Sequence, residues 1–542
     1  MTRGEAVLSA VAIFLVALVV RIAVASVVVF PVPEDTAYYF GVARNLLDGH
    51  GLVSDALWSY QTPPLVFPRP AFEVWLPLPT ILAAIPMAIA GSTFAAAQIS
   101  SVVVGSIVPV LAWRLGADVA VERGLPAGRA RVLAVGAGLT SAVYLPLVLF
   151  STLPDSTTLF AALALGACLL MTRLARVGDV VRLTDRRLLG LGALIGLAAL
   201  TRNEATFIGL AWLIVAWRIP GLDRRRKLRL VVVPAIIALV IFAPWAIRDW
   251  VIFGNPLPGQ ALANALSVQG FDIFAWNDPP TLGRYLAVGP ARLLEMRIDG
   301  FGHNLVTVLL LTGIPVAVVG LIGLWSTIRL AAVRPLAILA LTTFSFTSLL
   351  FPVSTTWGTY LHAAGPAHVL LVIAALVLLD TLIERVGLMR GWTKPVAWLG
   401  PTLTVFGSVL FMVALMPSFG RQSRDVAAGY EALTIQMAAA GLPIEGQGPI
   451  ITDYPIWLAE ATGHQSLALP DETPEDVLDL AANFRGTSLL ILGGGERGRW
   501  PAIIDSGAPG SECFHEIDIG RPTDPRLAGA MSGIRVFKLG CP

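Results

Sequence analysis

Residues 6–30, "AVLSAVAIFLVALVVRIAVASVVVF", form an apolar run, and residues 31–51, "PVPEDTAYYFGVARNLLDGHG", follow it at once. A membrane-crossing helix needs about 20 apolar residues, so the first stretch predicts one. The second stretch decides the rest. It sets two adjacent carboxylates, Glu34 and Asp35, among prolines and tyrosines at what should be a membrane surface. The first run reads as a retained helix and not a removable signal peptide.

The chain has 542 residues, 56% of them hydrophobic and 14% charged, with a mean hydropathy of +0.74. A soluble domain averages roughly 25% charged residues, so the composition predicts a polytopic α-helical membrane protein. No nucleic-acid partner is expected. Apolar runs of spanning length lie near 6–30, 93–113, 131–151, 157–173, 188–201, 204–217, 229–247, 302–325, 335–352, 365–380 and 396–416, eleven in all. Residues 72–90, "FEVWLPLPTILAAIPMAIA", would make a twelfth.

Charge tests that twelfth span. With 72–90 left out, one set of alternate loops carries 21 Lys and Arg and the other, before the tail, only 7. The basic set includes Arg182 and Lys394. Letting 72–90 span would scramble this bias, and Pro77, Pro79 and Pro86 make a poor straight helix. The segment is therefore expected to lie along or dip into the outer leaflet. Basic loops face the cytoplasm, so the N-terminus is expected there and residues 31–92 form an external loop.

Beyond residue 416 the composition changes. Residues 417–542 hold 9 basic and 16 acidic residues, with strand-like runs "TSLLILGG" and "IRVFKLG" around a helical "PEDVLDLAANF". This predicts a membrane domain over 1–416 and a small extracytoplasmic α/β domain over 417–542. The glycines of "LGGGERGRW" precede no convincing helix and are not read as a nucleotide cradle. Cys513 and Cys541 both lie in this tail, where an oxidising exterior would allow a disulfide; their pairing stays open. Cys168 reads as a small core residue.

The external side collects polar groups. The first loop offers Glu34, Asp35 and Arg69; "LPDSTTLF" offers Asp155; "ALTRNEATF" offers Arg202 and Glu204 at a break between short apolar runs. "APWAIRDW" offers Arg248, and "FPVSTTWGTYLHAAGPAH" offers Tyr360 and His362. Ionisable groups at membrane depth are costly and need partners or a task. Carboxylates with arginines at one face suit a base beside anion-binding groups, as in transfer from a phosphate-bearing lipid. The plain structural readings stand beside this. Tyr38, Tyr39, Trp58, Trp75, Trp245 and Trp357 would be an interfacial aromatic belt. Arg202 with Glu204 would be a structural ion pair, and Asp35 a helix N-cap. Asp48 and His50 would end a helix before Gly49 and Gly51.

At these residues the chain resembles the GT-C glycosyltransferases, and among them the relatives of protein O-mannosyltransferases and the lipid A aminoarabinose transferase. The stretches "PEDTAYYFGVARNLLDGHGL", "RPAFEVWLPLPTILAAIPMAIAG", "STLPDSTTLF", "LAALTRNEATF" and "APWAIRDWVIFGNPLP" carry the resemblance, in that order, over roughly residues 5–260. It implies a polyprenyl-phosphate-linked sugar donor and inverting transfer to an acceptor hydroxyl of a glycan, lipid or protein, at the outer face of a bacterial plasma membrane. It implies Asp35 as base, with Glu34 adjacent and Asp155 as a second acid. Arg202 and Glu204 match an R-x-E element, and Arg248 a PW-x-x-R pattern. Better-known members often have Asp followed by Glu in the first loop, whereas here the order is Glu34–Asp35. Arg69 is set on the donor phosphate from its charge and location alone, and Tyr360 and His362 join the substrate-binding set. No cofactor is called for; a divalent metal beside Glu34 and Asp35 stays open, with no ligand spacing to argue for it. The rival reading, a polyprenyl-lipid or small-molecule transporter or flippase, predicts internal symmetry, which is not seen.

Overall fold

The computed structural model describes residues 2–177, 184–392, 396–493 and 498–541. Arg182, Lys394 and the centre of "LGGGERGRW" lie outside the described residues.

The bundle opens with α1 (Arg3–Ala25), whose Thr2 and Glu5 form a reciprocal capping box. Helices α2 (Glu34–Leu47) and α3 (Leu78–Ala90) follow. At 13 residues α3 extends about 20 Å, short of a crossing. Then come α4 (Phe94–Glu122), α5 (Ala127–Val143), α6 (Leu145–Leu149), α7 (Ser156–Val177), α8 (Arg186–Ala199), α9 (Ala205–Trp217) and α10 (Arg224–Phe253). Two short helices, α11 (Ala261–Leu266) and α12 (Leu282–Ala287), lead to α13 (Gly289–Gly302), α14 (Val316–Thr327), α15 (Arg334–Leu350), α16 (Gly365–Met389) and α17 (Leu399–Ala439).

Among the described residues six helices are long and apolar enough to cross a membrane, or up to eight if each of two bent pairs counts as one span. The expected eleven is not reached on that measure. The runs 131–151 and 302–325 are not straight helices: the first bends by 61° between α5 and α6, the second by 117° before α14. Proline stands at each break, Pro146 in the first turn of α6 and Pro315 just before α14, where it removes a backbone donor. Helices α8 and α9, of 14 and 13 residues, are also short.

The bend at Tyr144 frees backbone carbonyls inside the bundle, and Arg21 meets them. Its fully buried guanidinium donates to the carbonyls of Ala17, Ala142 and Leu147 at 3.2, 3.1 and 3.3 Å. A charge within the first span thus serves the helix break. Close helix packing comes from small residues. On α14, a Cβ at Gly320 or Gly323 would come within 2.3 Å of the Leu371 or Ala374 carbonyl oxygen of α16. At the far end of α16, Asp380 pairs with Arg123 and Arg129 at 2.7 and 2.6 Å.

The tail folds as an α/β unit. Strands β1 (Val53–Ser54) and β3 (Arg69–Pro70) form a small antiparallel pair in the first loop. A six-stranded sheet has the order β2-β5-β4-β6-β8-β7, with β2 at Ala56–Leu57, β4 at Ile450–Thr452, β5 at Ser466–Ala468, β6 at Leu489–Gly493, β7 at Phe514–Ile517 and β8 at Ile534–Leu539. Helices α18 (Pro455–Thr462) and α19 (Pro474–Asn483) connect its parallel part. Cys513 and Cys541 are joined in a disulfide. The edge strand β2 comes from the first loop and pairs in parallel with β5. Residues 31–92 therefore contribute to the sheet, and Pro417 lies inside α17, whose second half packs Tyr430, Leu433 and Met437 against Ile450 and Ile491.

Candidate active site

Helix α2 begins at Glu34, with Pro33 before it making no side-chain cap. Asp35 is thus the second helical residue and not the N-cap. The two carboxylates part company. Glu34 Oε1 accepts the backbone N–H of Ile456, in the first turn of α18, at 3.3 Å. Asp35 Oδ2 lies 3.3 Å from His362 Nε2, with the Asp35 side chain 30% exposed.

His362 sits in the short helical turn Leu361–Ala363 between α15 and α16. It is buried, and its Nδ1 lies 2.7 Å from Thr157 Oγ1. Thr157 in turn is held by Asp155, whose Oδ1 accepts the Thr157 N–H at 2.8 Å. The other Asp155 oxygen is buried without a hydrogen-bond partner. Burial pushes the Asp155 carboxyl up to about 7, against the Thr157 hydrogen bonds, with the charge of nearby Asp35 adding to the rise. Burial also holds the His362 imidazole below its ordinary value, so the ring is neutral near pH 7.

Arg202 and Glu204 fill the break between α8 and α9. Their pairing is bidentate, Nε to Oε2 at 3.0 Å and Nη2 to Oε1 at 2.9 Å. Arg202 also donates to Ser156 Oγ at 2.8 Å. Three consecutive residues, Asp155, Ser156 and Thr157, so reach Asp35's neighbours on two sides. Tyr39, next to Tyr38 on α2, borders the same cluster, where the charges of Arg202, Asp35 and Asp155 act on it.

The structure brings Asp35, Asp155, Arg202, Glu204 and His362 together. It does not bring in Glu34, which caps α18, or Tyr360, which packs edge-on to Phe344 within the cluster of Val308, Leu309 and Leu371. Arg69 is fully buried elsewhere. Its guanidinium pairs with Glu73 at 3.1 Å and donates to the carbonyls of Pro64 and Thr62, which occupies the groups a phosphate would need. Arg248 lies on a flanking cluster, paired with Asp249 at 2.9 Å and stacked over Trp245 at 4.5 Å; its charge reaches Tyr38. The belt reading fails for Tyr38, Tyr39 and Trp58, which are buried, while Trp357 is 44% exposed. Tyr38 and Trp58 instead each pack, tilted, against Trp75, with ring centroids 4.2 and 4.5 Å apart.

Sequence reasoning passed over Thr157 and Ser156. Their position directly after Asp155 at a helix start was the signal, since first-turn side chains cluster around a helix end. Among the described residues no three His, Cys, Asp or Glu side chains gather as metal ligands. Glu34 Oε1 bonds the Ile456 N–H and Asp35 Oδ2 lies beside His362.

No family model matches the sequence, and no curated protein matches it. Solved structures do. The ArnT of Cupriavidus metallidurans bound to undecaprenyl phosphate aligns over 100% of both chains with a TM-score of 0.57 at 14% identity. The archaeal oligosaccharyltransferase AglB of Archaeoglobus fulgidus, in complex with an inhibitory peptide and a dolichol-phosphate, aligns over 94% of this chain and 72% of that one, with a TM-score of 0.55 at 12% identity. The Archaeoglobus fulgidus oligosaccharyltransferase complex with Zn and sulfate gives 0.55 at 16% identity, over 93% and 71%. At such identities the likeness shows the fold: this is a polytopic membrane protein of the GT-C fold with a C-terminal α/β domain.

Proposed function

We propose that the protein is a membrane glycosyltransferase that moves a sugar from a polyprenyl-phosphate donor to an acceptor hydroxyl at the outer face of a bacterial plasma membrane. The observation that carries this is the partly exposed Asp35 carboxylate at the start of α2, held against buried His362 and flanked by Asp155 and Arg202. The GT-C fold and the ligands bound by its structural neighbours, undecaprenyl phosphate and dolichol-phosphate, support the donor class.

The acceptor hydroxyl gives its proton to Asp35 as its oxygen bonds to the anomeric carbon. The bond from that carbon to the phosphate oxygen breaks, and its electron pair leaves with the phosphate. A single displacement from the opposite face inverts the anomeric centre. Arg202, already held by Glu204 and Ser156, and Arg248, on the flanking cluster and held by Asp249, act through space on the charge that develops on the leaving phosphate and not as free phosphate ligands. An apolar groove of about 490 Å³ between α1 and α4, lined by Ile22, Val29, Ile99 and Val103, offers the prenyl chain a bed. Phe94, which also lines it, packs edge-on to Phe40 of α2. The charge bias of the loops and the tail disulfide support a cytoplasmic N-terminus and an external tail.

The test is a panel of polyprenyl-phosphate sugars offered to the purified protein with candidate acceptors. Acceptor-dependent release of polyprenyl phosphate from one donor supports the reading. Binding of the lipids with no release from any of them would favour a transporter.

A further inference from the structure

His362 was grouped with substrate-binding residues by sequence, but its neighbours give it another role. One ring nitrogen faces Asp35 at 3.3 Å and the other faces Thr157 Oγ1 at 2.7 Å, so both are occupied by protein and neither is left for substrate. The ring is boxed in. Phe150 packs edge-on to it at 5.7 Å. Gly358, at φ +119°, lies where any Cβ would come 3.1 Å from His362 Cδ2 and Nε2. Thr157 is itself fixed by Asp155. Three separate elements, α2, the 361–363 turn and the start of α7, are thereby tied into one chain from Asp35 to Asp155.

We infer that His362 is a positioning residue for the Asp35 carboxylate. This rests on the glycosyl-transfer reading above. The ring is neutral, and the Asp35 carboxylate, which can only accept, selects the tautomer with its proton on Nε2; Nδ1 then accepts the hydroxyl proton of Thr157, which can donate or accept. When donor and acceptor are bound, the 3.3 Å approach tightens into a hydrogen bond to Oδ2, as loose contacts of unliganded sites do. Oδ2 is then held, and Oδ1 is the atom that faces the acceptor hydroxyl. The charged groups acting on the ring are Asp35, Arg202 and Glu204. No proton passes through His362 in this account; it sets where Asp35 points.

The experiment compares turnover of the wild type, Asp35→Asn, Thr157→Val, His362→Gln and His362→Asn, with thermal melts of each. Gln carries its amide N–H out to about the reach of Nε2, whereas Asn reaches only the Thr157 side. The expected result is a kcat for His362→Asn about 100-fold below wild type, with little change in the KM for donor. His362→Gln recovers to within about 10-fold, and all variants melt like the wild type. Equal kcat for Gln and Asn, or a loss confined to KM, would overturn the inference. An active Asp35→Asn would overturn the transfer reading instead. A second readout needs no turnover: ¹⁵N-histidine spectra, with His362 assigned among the 6 histidines from its loss in His362→Gln. A proton on Nε2, with a resonance that moves in Asp35→Asn, is expected. A proton on Nδ1 would overturn the assignment.

Discussion

Glu34 and Asp35 are consecutive in the chain, yet each bonds a different part of the molecule: Glu34 accepts the Ile456 N–H of the tail at 3.3 Å, and Asp35 stands 3.3 Å from His362 of the bundle. Successive residues in a helix point about 100° apart, so one turn of α2 serves both. The unusual order of the two carboxylates thus acquires a physical meaning, since only the second faces the candidate site.

Glu34→Gln is therefore expected to act on stability. Its carboxylate sits at the N-terminus of α18, where such a charge contributes about 0.3–1 kcal/mol. The variant should melt slightly lower and keep turnover within about 3-fold, since Asp35 is untouched. Melts and donor-release rates measured together check this; loss of activity at an unchanged melting point would return Glu34 to the site.

Arg202 and Glu204 form a bidentate pair at 12% and 9% side-chain exposure. Removing one partner leaves the other charge buried, at a cost of about 3–5 kcal/mol. Arg202→Met should fold poorly, and Arg202→Met with Glu204→Leu should regain stability. Activity should stay lost in both. A stable and active double variant would show that the pair is structural only.

Arg69 offers a direct choice between two roles. If it bound the donor phosphate, Arg69→Met would raise KM in a protein that melts normally. Its full burial against Glu73, Thr62 and Pro64 predicts the reverse: low yield and a lower melting point, with Tyr38 and Glu73 losing their support.

Glu460 predicts a pH dependence at the contact between α2 and the tail. Burial raises its carboxyl from 4.5 to about 7, against the opposing pull of Arg44, with which it pairs at 2.9 Å. The folded protein then holds a proton that the unfolded chain has lost. The associated stability is complete below pH 4.5 and is lost as pH rises towards 7, by up to about 3 kcal/mol. Melts across this window should fall with rising pH more steeply for the wild type than for Glu460→Gln. Parallel curves would rule the contribution out.

Much of this could be read from the residues. Apolar runs announced the helices, and the break at Arg202–Glu204 is a break in the structure. The first-loop carboxylates were found because charge at a membrane surface is expensive. What escaped was set by tertiary geometry. Strand β2 is two residues long, Ala56–Leu57, and no local pattern can show that it completes a sheet some 400 residues away. Tyr360 stands just before the short turn that holds His362; both are buried, and nothing local decides which of them meets the site. Arg21 passed unnoticed in an apolar run because its partners are carbonyls freed by a bend in two other helices.

The central claim is that Asp35 is the base of glycosyl transfer, and Asp35→Asn tests it most directly. With the donor identified from the panel, the wild type and the variant are compared for release of polyprenyl phosphate, binding of the donor lipid and thermal melting. The account predicts binding and melting like the wild type, with release reduced about 1,000-fold, within the range ascribed to general-base catalysis. Release within about 10-fold of wild type by a well-folded Asp35→Asn protein would contradict it.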